Sequence, residues 1–238
     1  LEGKWEAAVG ALVVAGILDT LDGRIARILQ GTSKFGAELD SLSDFVGFGI
    51  APALILYLWV MRDAGQVGWV LVLLFGVCCA LRLARFNTNV EDPDPPAWAR
   101  NFFTGVPSPG GGGLVLLPMI LSFQIGEEYL RDPWVAGTVI VVVSFLLVSR
   151  YPTYTFKNLR VAHRYVLLTL LGAGLFAAFS VAAPWTVLTG VLVAYLITLP
   201  FSLRSYRRIK NAPEAEATEP EDAPGDTPGE TREQTSVE

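Results

Sequence analysis

Charge is scarce in this sequence: Asp, Glu, Lys and Arg together make up 17% of its 238 residues, against about 25% in soluble domains. With 52% hydrophobic residues and a mean hydropathy of +0.44, the composition excludes an ordinary soluble domain and points to the membrane. Histidine occurs once, at His163, and cysteine twice, at Cys78 and Cys79. Two adjacent cysteines in an apolar run are poorly placed for a disulfide and give no metal-ligand spacing, so they read as packing residues. A basic balance is missing too, since the formal net charge is −5, and nucleic-acid binding loses its compositional support. A basic leader with a short apolar run and a cleavage site is not seen either. The sequence starts at Leu1 and enters an apolar segment at Trp5, which predicts a further segment upstream.

The acidity is local. Residues 211–238 carry nine acids, one base, four prolines and no aromatic residue. Such a stretch cannot bury enough apolar surface to fold and is expected to be a disordered, solubilising acidic tail. Removing its net −8 from the chain's −5 leaves +3 for residues 1–210, the expected membrane domain.

Apolar windows recur at about 5–21, 45–61, 67–83, 110–125, 134–148, 165–183 and 185–203. Their lengths approach those needed to cross a bilayer once polar helical turns extend them. Solid blocks such as Val139–Val143 lack the alternation of a β-barrel strand. The expected fold is therefore all-α, a polytopic helical membrane bundle with seven transmembrane helices visible and one more upstream. Fifteen of the eighteen Lys and Arg residues fall on one side of these windows; only Lys4, Arg62 and Arg131 fall on the other. The crowded side is expected to be cytoplasmic. Trp5, Trp59, Trp69, Trp134 and Trp185 all mark the opposite interface, and only Trp98 lies in a cytoplasmic loop.

An aspartate at membrane depth costs about 2.5 to 3.5 kcal/mol on insertion scales, so one that stays there usually serves function. Four border these windows. Asp19 and Asp22 stand at i and i+3, Asp40 and Asp44 at i and i+4, and each spacing puts its pair on one helix face. Two such faces brought together by the intervening turn would gather four carboxylates, whose mutual repulsion is relieved by bound cations. Oxygen ligands without Cys or His select hard ions, Mg²⁺ or Mn²⁺, with Ca²⁺ a further candidate. The competing reading, that these acids cap helices or pair with Arg24, Arg27 and Lys34, does not account for Gly23, Ala26 and Gly36 set among them. Small residues there permit close packing, and Arg27 one turn beyond Asp22 can address a phosphate.

Asp19-x2-Asp22-Gly23-x2-Ala26-Arg27-x8-Gly36-x3-Asp40-x3-Asp44 has eight fixed positions in twenty-six residues. At each of them it resembles the signature of the CDP-alcohol phosphatidyltransferases, membrane enzymes that move a phosphatidyl group from a CDP-linked lipid to an alcohol and release CMP. The resemblance implies that Asp19, Asp22, Asp40 and Asp44 hold divalent ions at the pyrophosphate and that Asp44 accepts the proton of the attacking hydroxyl. It further implies that Gly23, Ala26, Arg27, Ser33 and Gly36 border the CDP-lipid, that the protein is a homodimer, and that it sits in a bacterial inner membrane with its site on the cytoplasmic side. Cys79–Asn87 (CALRLARFN) and Phe103–Pro109 (FTGVPSP) are similar to segments of the phosphatidylserine synthase branch. The implied substrates are CDP-diacylglycerol and L-serine, among membrane lipids.

Arg82 and Arg85 share a helix face at i and i+3, with Asn87 just beyond. These three are the candidate acceptor contacts: two arginines can grip the carboxylate of serine, or the phosphate of glycerol 3-phosphate or inositol phosphate. Inositol and choline would leave them without a partner, and both arginines could equally snorkel to headgroups. The Pro107–Gly113 stretch (PSPGGGG) reads as a linker or packing element ahead of a ligand contact. His163, Glu38, Asn158 and Tyr154 are weaker polar candidates, His163 reading as solvated or headgroup-facing. A cation transporter would share the composition and topology, but transport sites sit near the bilayer midplane on broken helices, whereas these aspartates flank one cytoplasmic turn.

Overall fold

In the computed structural model, residues 3–28, 33–90, 102–149, 152–154 and 165–210 are described. The acidic stretch 211–238, His163, Asn158 and Trp98 lie outside them, as do the side chains of Ala26, Arg27 and Tyr154. The elements run α1 (Trp5–Ile28), α2 (Lys34–Asp44), a π-helical turn (Phe45–Ile50), α3 (Ala51–Trp59), a 3₁₀ turn (Met61–Ala64), α4 (Gly65–Val90), β1 (Phe102–Thr104), α5 (Ser108–Val115), α6 (Leu117–Ile125), α7 (Pro133–Val148), β2 (Pro152–Tyr154), α8 (Val166–Ala182) and α9 (Pro184–Lys210).

Each apolar window coincides with one helix or one continuous stack of helical turns, so the helical expectation holds. One difference is a small antiparallel pair, β1 with β2, that sets Phe102 opposite Tyr154. Phe35–Trp59 and Met61–Thr88 are long and apolar enough to cross a membrane, and the bent pair Ser108–Ile125 adds a third if it is one span. Pro133–Val148, Val166–Ala182 and Pro184–Leu199 are apolar but shorter. Helix α1 is long enough, yet any 18-residue stretch of it includes Asp19 and Asp22 with either Glu6 or Arg24. The protein is a membrane protein built from several apolar helices.

Local sequence accounts for the breaks. Ser33 caps α2, its Oγ accepting the Gly36 N–H at 3.0 Å, and Asp132 caps α7 by accepting from Trp134 and Val135, with Pro133 at the first helical position. Pro118 has no N–H to donate one turn back, and α5 and α6 meet there at 44°. Pro52 does the same to the carbonyl of Phe48, and the chain answers by widening into the π turn, where Ala51 N–H donates five residues back to Val46 O.

The buried core joins Leu56, Trp59 and Met61 to Phe75 on α4, Leu114 on α5, Met119 and Ile120 on α6, and Ile140 and Leu147 on α7. Helix α7 packs chiefly on α4, α5 on α7 and on the π turn, and α6 on α9. Helix α5 holds the glycine run, and its contacts exclude the linker reading. A Cβ on Gly111 would stand 2.7 Å from Leu147 Cδ2, on Gly112 2.8 Å from the Phe48 carbonyl oxygen, and on Gly113 2.8 Å from Leu192 Cδ2. Three neighbours reach the α5 backbone because it has no side chains there. Helix α8 buries no residue and presents Leu167, Leu171, Leu175 and Phe179 outward, a surface suited to lipid rather than water.

Candidate active site

The site stands where α1 meets α2 and the π turn. Asp19, Asp22 and Asp40 each offer a carboxylate oxygen, and these lie within 4.8 Å of one another. Asp22 and Asp40 are exposed and Asp19 is half-buried. The Asp44 carboxyl, also half-buried, interacts with that of Asp19. The four aspartates thus converge from two helices, three as one cluster and the fourth joined through Asp19.

Helical spacing produces this arrangement. Thr20, between the first pair, turns its hydroxyl back on Gly16 O at 2.9 Å, and Ser41, between the second pair, donates to Ala37 O at 3.1 Å. Gly16 lets the ring of Phe48 approach to 3.2 Å of where its Cβ would be, which brings α1 against the π turn.

The donor set suits a hard divalent cation. Three carboxylate oxygens within 4.8 Å of one another could converge on one such ion, Mg²⁺, Mn²⁺ or Ca²⁺, by side-chain rotation. Carboxylates alone, with no thiolate or imidazole among them, disfavour zinc.

Of the glycines in the signature, Gly23 would meet open space with an added Cβ, while Gly36 would place one 3.2 Å from Ser33 Oγ. Packing within the chain therefore explains Gly36, whereas no described residue crowds Gly23. Ala26 and Arg27 continue α1 for a further turn past Asp22. Glu38 is exposed.

The three candidate acceptor contacts part company. Arg82 Nη1 donates to the hydroxyl of Ser108, its guanidinium lies 5.6 Å from the Phe86 ring centroid, and it acts electrostatically on Asp44. Arg85 Nη1 donates to Val148 O at 2.7 Å, capping the end of α7. Asn87 Nδ2 donates to Ser41 Oγ at 3.0 Å, which ties α4 to the turn of α2 between Asp40 and Asp44. Sequence reasoning overlooked Ser41, Ser108 and Tyr195. Ser41 could have been found as the polar residue inside the Asp40–Asp44 turn; Tyr195 has no local signal, because its neighbours come from other helices.

Comparison with known proteins agrees with the geometry. The CDP-alcohol phosphatidyltransferase family profile matches residues 1–150, and that of CDP-alcohol phosphatidyltransferase 2 matches 164–200. The chain is 40% identical over 214 residues to a CDP-diacylglycerol–serine O-phosphatidyltransferase of Mycobacterium tuberculosis, covering 90% of this chain and 74% of that one. A protein of the same name from Mycobacterium leprae is 40% identical over 90% of this chain and 71% of its own. One from Helicobacter pylori is 41% identical over 60% of each. The aspartates that meet between α1 and α2 lie inside the matched span, and the chain belongs to the CDP-alcohol phosphatidyltransferase family.

Proposed function

We propose that the protein transfers the phosphatidyl group of CDP-diacylglycerol to L-serine, forming phosphatidylserine and releasing CMP. The convergence of Asp19, Asp22 and Asp40 within 4.8 Å carries the reaction type; the names of relatives aligned over 90% of the chain carry the acceptor.

In this reading Asp19, Asp22 and Asp40, with Asp44 beside them, hold the divalent ion, Mg²⁺ or Mn²⁺, which supplies charge neutralisation at the pyrophosphate. Asp44 takes the proton of the serine hydroxyl as its oxygen attacks the phosphorus attached to diacylglycerol, and the bond from that phosphorus to the CMP oxygen breaks. Gly23 admits the CDP-lipid to the α1 backbone, and Arg27, one turn on, meets its phosphate; Ser33 and Gly36 shape the start of α2 below it. Arg82, within electrostatic reach of Asp44, receives the serine carboxylate, with Arg85 and Asn87 holding the elements on either side. The seven apolar segments cross the membrane, and the site faces the cytoplasm, where the Lys and Arg residues crowd.

Replacing Asp44 by Asn tests the base. CMP release should fall by roughly 10²- to 10⁴-fold, the usual worth of a positioned general base, with the folded protein recovered in normal yield. Unchanged release would remove Asp44 from the mechanism.

A further inference from the structure

Around Arg82 hydrogen-bonding capacity is left unspent. Its Nη1 donates to Ser108, a wholly buried hydroxyl at the start of α5. Among the described residues its buried Nε–H has no hydrogen-bond partner, and neither has the buried phenol hydroxyl of Tyr195 on α9. These two orphans are complementary, since Nε–H can only donate and a phenol oxygen can accept. Arg82 bonds to Ser108 and Tyr195 packs on Gly110, so both side chains reach the first turn of α5. The tyrosine ring fits against the first glycine of the α5 run, its Cε1 3.4 Å from where a Gly110 Cβ would stand. Orphaned polar groups inside a bundle are costly, and pairing these two removes both costs.

We infer that Tyr195 and Ser108 are positioning residues that hold the Arg82 guanidinium from two sides, Ser108 by the bond it makes to Nη1 and Tyr195 by a bond from Nε–H that forms when the acceptor binds, so that the remaining N–H groups meet the carboxylate of the amino-acid acceptor beside Asp44. This rests on the serine reading above. Guanidinium donors form a rigid planar fork. Fixing two of them fixes the plane, and a fixed plane favours a carboxylate over a neutral amide of the same shape. Neither Tyr195 nor Ser108 touches substrate in this arrangement; both act through Arg82, and they bring α5 and α9 into acceptor choice.

The test compares kcat/KM for L-serine with that for L-serinamide, which keeps the hydroxyl and amine and loses the carboxylate. The full-length protein is assayed in detergent with CDP-diacylglycerol and Mn²⁺, as wild type, Tyr195→Phe and Ser108→Ala. Tyr195→Phe keeps the ring and deletes only the hydroxyl. The expected result is a serine KM about tenfold higher, a steady KM for CDP-diacylglycerol, and a serine-to-serinamide ratio about tenfold lower. A simply loosened bundle would slow both acceptors alike and leave the ratio unmoved. An unchanged ratio in both variants overturns the inference while the serine reaction stands. If Tyr195→Phe does not accumulate as folded protein, Ser108→Ala decides alone by the same ratio. Wild-type turnover that ignores serine overturns the reaction reading itself, and this inference with it.

Discussion

Asp40 and Asp44 lie one turn apart on α2, and their surroundings separate them. Asp40 is exposed and clusters with Asp19 and Asp22, while Asp44 is half-buried, beside Asp19 and under the influence of Arg82. That difference suits the first to ion binding and the second to proton transfer. Asp22→Asn removes the charge of one of three clustered carboxylates, so, on the proposed metal-binding role, the Mn²⁺ concentration for half-maximal CMP release should rise at least about tenfold, read from a metal titration. Gly23 gives a second, sharper test. A methyl group there meets nothing among the described residues, and alanine favours a helix over glycine by about 0.5 to 1 kcal/mol. Gly23→Ala should therefore leave the thermal midpoint level or higher while activity falls about tenfold or more, the mark of a position kept bare for substrate. The aspartates were legible because helical spacing alone aligns i with i+3 and i+4. What Arg85 and Asn87 do was not, since their partners Val148 and Ser41 lie 63 and 46 residues away in sequence.

At the level of elements, the π turn is the joint on which the site depends. Pro52 withholds the donor that Phe48 would use in a regular helix, the turn widens directly after Asp44, and the carbonyl of Phe48 is met by the bare face of α5 at Gly112. A methyl group at Gly112 would stand 2.8 Å from that backbone oxygen, and backbone cannot step aside as a side chain can. Gly112→Ala should cost about 1 to 3 kcal/mol by overpacking, seen as a lower thermal midpoint in detergent, in contrast to Gly23→Ala. Hydropathy located the 110–125 segment that holds most of α5, but four successive glycines look the same in a linker and in a tight crossing. Only the neighbours Leu147, Phe48 and Leu192 decide between them.

For the whole molecule, hydropathy predicted the order of helical segments well, because lipid exposure leaves long apolar surfaces uncovered, as on α8. It could not foresee the pairing of β1 with β2, which is set by main-chain hydrogen bonds between segments 50 residues apart. The acidic stretch after Lys210 contributes nothing to the proposed chemistry, so truncation there should leave membrane insertion and CMP release within about twofold of the intact protein. The most direct measurement of the central claim is CMP release by the purified full-length protein from CDP-diacylglycerol with Mn²⁺ or Mg²⁺, across serine, glycerol 3-phosphate, inositol, inositol phosphate and choline. The account predicts release that requires both the metal and serine and that collapses in Asp44→Asn. Release driven by another alcohol would contradict the acceptor assignment, and a folded, metal-loaded protein that releases no CMP with any of them would contradict the claim as a whole.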